Sequence, residues 1–336
     1  ALRVKSKLRR GPNIVAIGGG TGLSTLLKGL KNYSSNISAI VTVSDDGGSS
    51  GLLRKQLGVQ PPGDIRNCLA ALSNEEPTLT RLFQYRFADG SGLEGHSFGN
   101  LFLSALTTIT GSLEKAVQAS SKVLSVQGQV IPATGIDVML WAELETGEKI
   151  FGESRIGKSK KPIARIGCLP ENPSALPTAL DAIKEADLII LGPGSLYTSL
   201  LPNLLVPEIV ESLLKSDAPK IYISNLMTQP GETDGLDVYQ HIKSIEKQLS
   251  SFGVNSRIFT SILSQIEFEE SSLIDYYRSR GAEPVICDKR KLISEGYYVL
   301  QVPLYARKIT PTLRHDSRRL SRAVMYLYRK IKKANQ

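Results

Sequence analysis

Short apolar runs, each bounded by glycine, proline or asparagine, alternate along this chain with segments of helical periodicity. Parallel strands need a crossover connection, usually a helix, so this alternation is typical of a parallel sheet. The predicted strands are Ile14–Ile17, Ile37–Val43, Leu188–Leu191, Lys220–Ser224, Arg257–Thr260 and Pro284–Ile286. The sequence therefore predicts an α/β, Rossmann-like fold, with a mostly parallel sheet and helices on both faces.

Two insertions interrupt this alternation. Residues 64–124 form a stretch rich in leucine and alanine at helical spacing, which predicts helices. Residues 136–154 contain two short apolar runs joined by Glu145-Thr-Gly, which predict a small antiparallel hairpin over Ile136–Glu143 and Lys149–Ser154. The predicted organisation is a basic N-terminal segment at 1–11, a Rossmann-like domain at 12–306 that includes both insertions, and a basic C-terminal helix at 307–336 packed on that domain.

The net charge of +9 is concentrated at the two ends of the chain. Residues 1–10 contain five basic side chains, and residues 307–336 contain ten against one acid, so the body carries about −5. An apolar stripe at helical spacing in the last segment is formed by Leu320, Val324, Leu327 and Ile331. The slightly acidic body predicts no nucleic-acid binding. The basic ends could meet a membrane surface or a partner, or serve solubility alone.

Cysteine usage indicates a reducing compartment. Cys68, Cys168 and Cys287 lie about a hundred residues apart without a CxxC pair, which argues against a disulfide framework and against a zinc cluster. No apolar run approaches the roughly 20 residues of a membrane helix, so we expect a cytoplasmic protein. Because the chain begins at Ala1 and its first methionine is Met139, we expect the natural start upstream, and a segment there would bear on this location.

The strongest local motif is a glycine-rich turn between the first strand and the first helix. The chain runs Ile14-Val-Ala-Ile-Gly-Gly-Gly-Thr-Gly-Leu, and a helical pattern continues over Ser24–Leu30. Such a turn exposes backbone amides at a helix start, where phosphate can bind. The residues predicted to bind it are Gly19, Gly20, Thr21 and Gly22. The dinucleotide motif GxGxxG would need glycine at Leu23, and no GK[ST] follows, so NAD is not expected; nor is haem.

Acidic residues follow the second strand, in the run Ser44-Asp-Asp-Gly-Gly-Ser-Ser-Gly. A dinucleotide enzyme places one acid here to hold a ribose. Two adjacent acids in a glycine-serine loop instead suit Mg²⁺, which takes one or two carboxylates and completes its shell with water and phosphate. Asp45 in this loop is therefore a candidate metal ligand. The second candidate is Asp64, which lies in the later run Pro61-Pro-Gly-Asp that opens a helix. An aspartate at the start of a helix is also explained as its N-cap, so capping remains the alternative for Asp64.

No catalytic residue is assigned from the sequence, and the two candidates are Asp45 and His96. His96 lies in the run Gly95-His-Ser-Phe-Gly-Asn that precedes an apolar helix. Histidine titrates near neutral pH and can act as an acid or base, and Asn100, one turn further on, would share its face. A single histidine in such a loop is more often structural, so both explanations stay open.

A second turn of the phosphate-binding type follows the central strand, in the run Leu188-Ile-Ile-Leu-Gly-Pro-Gly-Ser. Gly194 and Ser195 lie between a buried strand and a helix start, as in the first turn. The next strand ends at Asn225, and the polar loop 227–235 behind it is long enough to be a substrate lid. Ligands of open α/β sheets bind beyond the carboxyl ends of strands, and all these motifs fall at such ends.

Six motifs in this order resemble one protein family. They are IVAIGGGTGLSTLLKGL, IVTVSDDGGSSGLLRK, PPGDIRNCLAALS, GHSFGNLFLSALT, LGPGSLYTSLLPNLLVP and SNLMTQPGETDG. Together they resemble the YvcK/CofD-like family, and in particular its bacterial YvcK branch, the gluconeogenesis factors. The resemblance covers roughly residues 12–320 and implies a Rossmann-like fold.

The resemblance implies two kinds of function. Members of the YvcK type bind UDP-N-acetylglucosamine and UDP-glucose, and link central carbon metabolism in gluconeogenic growth to cell-wall precursor supply and cell shape. Members of the CofD type are magnesium-dependent transferases that move phospholactate from a nucleotide diphosphate carrier to a deazaflavin alcohol.

The resemblance also implies roles for individual residues. The family's glycine turn falls on Gly18–Gly22, its acidic loop on Asp45 and Asp46, and its strand-end asparagine on Asn225. Contacts to the uridine part fall on Tyr277, in YRSRGAEPV, and on Arg314, in TLRH. A tyrosine ring can stack on a base, and an arginine can bind a diphosphate.

We expect the nucleotide-sugar-binding regulator, with the transferase as the alternative, because the residues indicate a diphosphate site clearly and a catalytic acid or base poorly. The expected ligand is a nucleotide sugar or a nucleotide diphosphate. A homodimer is the default expectation for the oligomeric state, and nothing in the sequence identifies a regulatory protein partner.

Overall fold

The computed structural model describes residues 2–74, 77–159, 161–269, 271–305 and 312–334. Within these residues the strands form two sheets. The strands are β1 (Ile14–Gly18), β2 (Ile37–Val41), β3 (Gln129–Pro132), β4 (Met139–Leu144), β5 (Lys149–Phe151), β6 (Ile163–Leu169), β7 (Leu188–Leu191), β8 (Lys220–Ile223), β9 (Ser261–Gln265) and β10 (Tyr298–Val302).

Helices surround the larger sheet, and one π-helical turn lies over Leu196–Leu200. The α-helices of the described residues are α1 (Leu2–Arg9), α2 (Gly20–Leu30), α3 (Gly48–Leu57), α4 (Gly63–Leu72), α5 (Pro77–Phe83), α6 (Phe98–Thr110), α7 (Leu113–Val123), α8 (Glu153–Ile156), α9 (Pro177–Lys184), α10 (Leu201–Leu204), α11 (Pro207–Lys215), α12 (Val238–Ser250), α13 (Ser272–Arg278), α14 (Lys289–Ser294) and α15 (Ser317–Ala334). The predicted helical stretch at 64–124 corresponds to α4 to α7.

The larger sheet has seven strands in the order β10-β9-β8-β7-β1-β2-β3, all paired in parallel. Its centre is buried on both faces, since every residue of β1 and β7 is buried, as is usual for parallel sheets covered by helices. The strands β2 and β3 lie on one side of β1, and the strands β7 to β10 lie on the other. This confirms the predicted Rossmann-like α/β fold and places the topological switch point between β1 and β7, where such folds bind ligands.

Two strand predictions were wrong towards the ends of this sheet, and two of its strands were not predicted. Residues 257–260 precede β9, which begins at Ser261. Residues 284–286 form a connection rather than a strand, and only Pro284 makes a bridge there, to Met227. The last strand, β10, was not predicted, and neither was β3, which ends in a proline. Edge strands carry mixed burial and little periodicity, so the chain alone gave a poor signal for them.

The smaller sheet is antiparallel, in the order β5-β4-β6. Its β4–β5 pair confirms the predicted hairpin, although the second arm is shorter than expected and turns at Glu153 into the helix α8. The strand β6 was not predicted. Gln248 of α12 fixes it to the rest of the molecule, because its side chain accepts from the Ile166 amide at 2.9 Å and donates to the Ile166 carbonyl at 3.0 Å.

Each basic end of the chain contains a helix among its described residues, α1 and α15. The helix α15 buries Leu320, Val324 and Leu327, as the apolar stripe predicted, and packs its first turns against Gly29 of α2, where a Cβ atom would collide with Ser317 and Ser321. The helix α1 was not predicted. The boundary placed at 306/307 lies outside the described residues. None of the described helices combines the length and the apolar character that crossing a bilayer requires.

Candidate functional site

A cavity of about 520 Å³ opens at the carboxyl ends of β1, β7 and β8. All the residues predicted to bind phosphate or nucleotide line it: Gly19, Gly20, Thr21, Gly22, Gly194, Ser195, Asn225, Tyr277 and Arg314. They come from five separate parts of the chain and meet because parallel strands all end at the same edge of the sheet. The structure thus shows their common location, and their part in ligand binding stays a prediction.

The first glycine turn presents unoccupied backbone amides to this cavity. The helix α2 begins at Gly20, earlier than the helical pattern from Ser24 suggested, and its N-cap residue Gly19 has no side chain to satisfy the first amides. Gly20 has φ +63°, a conformation that glycine adopts readily. A Cβ atom at Gly19 would lie 2.6 Å from an Asp64 carboxylate oxygen. The turn therefore has the geometry that helix-start anion sites have.

The second glycine turn packs directly against the first. A Cβ atom at Gly22 would collide with the Pro193 carbonyl oxygen and would lie 3.2 Å from the Gly194 Cα atom. The Gly194 amide donates to Asn225 Oδ1 at 3.2 Å. This amide is therefore engaged within the protein, and Asn225, whose carbonyl oxygen is used here, has its amide nitrogen left to serve as a donor.

The Ser195 hydroxyl is also engaged within the protein. It caps the π-helical turn by accepting from the Thr198 amide at 3.3 Å and from the Thr198 hydroxyl at 2.7 Å. It donates in turn to a carboxylate oxygen of Glu232. Burial raises the pKa of Glu232, and the bond from Ser195 partly opposes this rise. What Ser195 can present to an anion is therefore its backbone amide rather than its hydroxyl.

The loop 227–235, predicted as a lid, forms a fixed wall of the cavity. The Thr228 amide donates to the Glu283 carbonyl at 2.7 Å, and the Glu283 amide donates to the Thr228 hydroxyl at 2.8 Å. Inside the loop, the Gln229 amide donates to the Thr233 hydroxyl at 2.9 Å. These bonds and the contact of Glu232 with Ser195 join the loop to two neighbouring segments.

The far wall of the cavity carries Tyr277 and Arg314. Tyr277 lies at the end of α13, and its hydroxyl accepts a hydrogen bond from the Leu313 amide at 2.8 Å. This bond positions the segment that carries Arg314, whose side chain is exposed. An aromatic ring and a guanidinium group thus lie across the cavity from the helix-start amides.

A group of partly buried carboxylates lies behind the first glycine turn. Asp64 is not the N-cap of α4, since Pro62 occupies that position. It accepts a hydrogen bond from the Gly20 backbone instead, and burial, followed by the charge of Asp45, raises the pKa of Asp64 from 3.8 to about 6. Burial likewise raises the pKa of Asp45, which accepts from the Gly47 amide at 2.9 Å.

Glu153 completes this group and was not predicted. It lies at the start of α8, is partly buried, and accepts from the Ser44 hydroxyl at 3.0 Å. Burial, followed by the charges of Asp45 and Asp64, raises the pKa of Glu153 well above its ordinary value. No local pattern marks this residue, because its partners lie about a hundred positions earlier in the chain.

The carboxylates fit a hard cation in charge and in donor type. Among the described residues no group of three or more His, Cys, Asp or Glu side chains is arranged to hold a metal ion. The charge of Asp45 nevertheless raises the pKa of Asp64, so a cation between the two carboxylates would relieve their repulsion. Two carboxylates are enough for Mg²⁺ when ligand phosphate and water fill the remaining positions.

His96 does not line the cavity. It is buried, and its Nδ1 atom shares a hydrogen bond of 3.0 Å with the Ser49 hydroxyl. Asn100 donates to the same hydroxyl at 3.1 Å. The predicted proximity of His96 and Asn100 is therefore present, and the contacts shown connect α3 to α6.

Comparison with known proteins places this chain in a family. A sequence model described as 2-phospho-L-lactate transferase CofD matches residues 14–305. Because the match spans most of the chain, the chain belongs to the CofD family.

Relatives with similar sequences refine this placement. A gluconeogenesis factor of Bacillus subtilis is 47% identical over 310 residues, which cover 92% of this chain and 96% of the relative. A gluconeogenesis factor of Halalkalibacterium halodurans is 47% identical over 319 residues, covering 93% and 95%. A crystal structure of a Bacillus halodurans protein matches with a TM-score of 0.88 at 46% identity, covering 94% of this chain and 100% of that chain. The resemblance drawn from the six motifs is confirmed.

Proposed function

We propose that this protein is a regulatory factor that binds a nucleotide sugar, UDP-N-acetylglucosamine or UDP-glucose, in the cavity between the two glycine turns. The observation that carries the proposal is the convergence of nine residues, predicted from separate motifs, on one cavity of about 520 Å³. This volume lies within the range of small-molecule sites.

The chemistry of the two walls supports a diphosphate joined to a base. The first turn of α2 supplies backbone amides and the positive end of a helix dipole, both of which favour phosphate. Across the cavity, the Tyr277 ring can stack on a flat base, and the Arg314 guanidinium can form charge-assisted bonds with phosphate oxygens. The Asn225 side-chain amide lies between the walls as a further donor.

The names of the relatives support a role in carbon metabolism. Two of them are called gluconeogenesis factors. For this chain we infer a cytoplasmic regulator that senses a nucleotide sugar, and so links central carbon metabolism in gluconeogenic growth to cell-wall precursor supply and cell shape.

Isothermal titration calorimetry with both UDP-sugars tests the proposal. The Arg314→Ala variant should bind at least about tenfold more weakly, because a charge-assisted bond to phosphate is lost. Arg329→Ala is the matched control, since Arg329 is exposed on α15 and does not line the cavity. Absence of binding by the wild type, or undiminished binding by Arg314→Ala, would overturn the proposal.

A transferase is the alternative, and the family description and the partly buried carboxylates favour it. The matching family is described as a 2-phospho-L-lactate transferase. Asp45 and Asp64 would hold Mg²⁺, which would neutralise charge on a diphosphate. The amides of the first turn would hold the phosphates while the hydroxyl of a deazaflavin alcohol attacks the phosphorus of the phospholactyl group. The bond from that phosphorus to the bridging oxygen of the diphosphate would break, the nucleoside monophosphate would leave with that oxygen, and the hydroxyl proton would pass to solvent.

Product formation decides between the two functions. The purified protein is incubated with Mg²⁺, a deazaflavin alcohol and phospholactate activated on a nucleotide diphosphate, and the mixture is analysed by mass spectrometry. A phospholactyl product that Asp64→Asn fails to form would establish the transferase. Binding of UDP-sugars without product would leave the regulator as the function.

A further inference from the structure

His315 lies in the wall of the cavity beside Arg314, and the contacts proposed above do not involve it. Its Nε2 atom is buried and has no hydrogen-bond partner among the residues that the structure describes. Buried polar atoms of proteins are nearly always paired, because an unpaired one loses its bonds to water without replacement. At the edge of a cavity, the missing partner is expected to come from the ligand.

The backbone on either side of His315 is fixed. The Leu313 amide donates to the Tyr277 hydroxyl at 2.8 Å, and the Asp316 amide donates to the Leu304 carbonyl at 2.7 Å. His315 itself pairs with Tyr305 in an isolated antiparallel bridge. The ring is therefore held in place before any ligand arrives, which is the usual condition for a residue that determines specificity.

The histidine is neutral at physiological pH and can accept a hydrogen bond. Burial lowers the pKa of His315 from 6.5 to about 4, and a hydrogen bond with the Ser224 backbone only partly opposes this. Since Nε2 has no partner, we assign that bond to Nδ1, which then donates to the Ser224 carbonyl. In a neutral imidazole with its proton on Nδ1, Nε2 is an acceptor.

An acceptor at this point does not serve the phosphates, whose oxygens are acceptors themselves when ionised. Ser224 directly precedes Asn225, and Asn225 bonds to Gly194 of the second turn. The ring is thus anchored one residue away from the diphosphate part of the cavity. In a nucleotide the donors linked most closely to the phosphates are the ribose hydroxyls.

The usual ribose acceptor of this fold is committed elsewhere. Dinucleotide-binding proteins use an acid after the second strand to accept from a ribose hydroxyl. Here the corresponding residues, Asp45 and Asp46, do not line the cavity. Asp45 accepts from the Gly47 amide, and Asp46 accepts from the Ser154 amide at 2.7 Å.

We propose that His315 Nε2 accepts a hydrogen bond from a ribose hydroxyl of the bound nucleotide and thereby selects ribonucleotides over deoxyribonucleotides. This inference rests on the proposed nucleotide binding. In dinucleotide-binding proteins of this fold, an acid after β2 accepts the hydrogen bond from the ribose. In this protein the proposed acceptor is His315, in the segment after β10.

Calorimetric titrations with UDP, 2′-deoxy-UDP and 3′-deoxy-UDP test it in the wild type and in two variants. His315→Phe keeps a flat ring without an acceptor, and His315→Gln places a carbonyl oxygen near the position of Nε2. One of the deoxy ligands should bind the wild type about tenfold more weakly than UDP, the effect of one lost hydrogen bond with its partner left buried. His315→Phe should bind all three alike, and His315→Gln should restore the difference.

The outcomes separate this inference from the function on which it rests. If the wild type binds none of the three ligands, nucleotide binding itself is overturned, and the inference with it. If it binds all three equally, or if His315→Phe keeps the difference, only the role of His315 is overturned. A further outcome concerns UDP-glucose. If the wild type binds UDP-glucose more tightly than UDP, and His315→Phe loses this difference, the histidine contacts the sugar and the ribose assignment is wrong.

The pH dependence gives a second measurement that needs no variant. Because His315 stays neutral above about pH 4, the affinity ratio of UDP to the weaker deoxy ligand should be constant between about pH 6 and pH 8. A ratio that collapses with a midpoint near the ordinary histidine pKa would contradict the proposal.

Discussion

The two glycine turns share a sequence signature and differ in what they present to the cavity. Each follows a buried strand, and each is bound by a carboxylate from a distant segment. Asp64 accepts from the backbone of Gly20 in the first turn, whereas Glu232 accepts from the side chain of Ser195 in the second. The first turn keeps further helix-start amides unoccupied, while the second uses the Gly194 amide and the Ser195 hydroxyl internally.

This difference shows that a strand-glycine-helix motif by itself does not identify an anion site. The first turn has the properties of a binding site, and the second has those of a support that holds the first in place. The distinction depends on hydrogen bonds to Asn225 and Glu232, which lie 31 and 37 residues further along the chain.

Breaking the contact between the turns should have the largest effect. In Gly22→Ala the new methyl group meets the backbone of Pro193 and Gly194, which cannot move aside as a side chain can. We expect a loss of about 3 kcal/mol in the free energy of unfolding and loss of measurable UDP-sugar binding. Urea denaturation and calorimetry measure the two effects.

Gly157→Ala is the matched control for this substitution. Among the described residues, the nearest atom to a Cβ there would be the Glu153 carbonyl oxygen at 3.6 Å, and Gly157 has φ −64°. Its stability should be close to that of the wild type. Equal stability of the two variants would contradict the close packing of the turns.

The carboxylate behind the first turn should make stability depend on pH. The pKa of Asp64 is raised from 3.8 to about 6 on folding, so the folded protein binds more protons than the unfolded chain between these values, and this contribution to stability is lost as the pH rises through about 6. The difference in unfolding free energy between Asp64→Asn and the wild type should therefore shift in favour of the variant by up to about 3 kcal/mol from pH 4 to pH 7.

Denaturant titrations at several pH values measure this difference without added divalent cations. Asparagine keeps an oxygen that can accept from the Gly20 amide, so the substitution removes the charge with little change in shape. Added Mg²⁺ should stabilise the wild type more than Asp64→Asn at pH 7. A pH-independent difference would show that Asp64 ionises in the folded protein as it does in the unfolded chain.

The smallest effect is expected at Ser195. Substitution there tests whether the second turn contacts the ligand through this hydroxyl or only supports the first turn. Ser195→Ala removes the cap of the π-helical turn and a donor to Glu232, which should cost about 1 kcal/mol of stability. UDP-sugar affinity should change less than twofold, because the hydroxyl is engaged within the protein. Thermal unfolding and calorimetry test both statements, and a tenfold loss of affinity would instead make the hydroxyl a ligand contact.

Local signals predicted the parts of the molecule that local geometry determines. The glycine turns, the two central strands and the apolar face of α15 are all encoded by neighbouring residues, and the structure has them where the sequence placed them. Tyr277 and Arg314 entered through a resemblance to a family rather than through any physical pattern, and they lie in the same cavity as the glycines.

Features that depend on distant partners were predicted poorly. Asp64 resembled an N-cap because its true partner, the Gly20 amide, lies 44 residues earlier. Glu153 gave no signal, since burial among other carboxylates depends on the position of the smaller sheet. The strand β9 was placed a few residues too early and β10 was not predicted, because the position of a strand is decided by its pairing, and pairing is invisible in a single apolar run.

The cavity is built from segments that lie far apart in the chain. At its base β1 pairs with β7, and Ile14 lies opposite Leu188. The cavity needs both the first turn and the segment around His315, which is synthesised much later than that turn. Until the ribosome has passed His315, the emerging chain contains only one wall of the cavity. A ligand in this cavity would therefore stabilise only chains that contain both walls, by mass action, and its abundance would influence how many newly made copies persist.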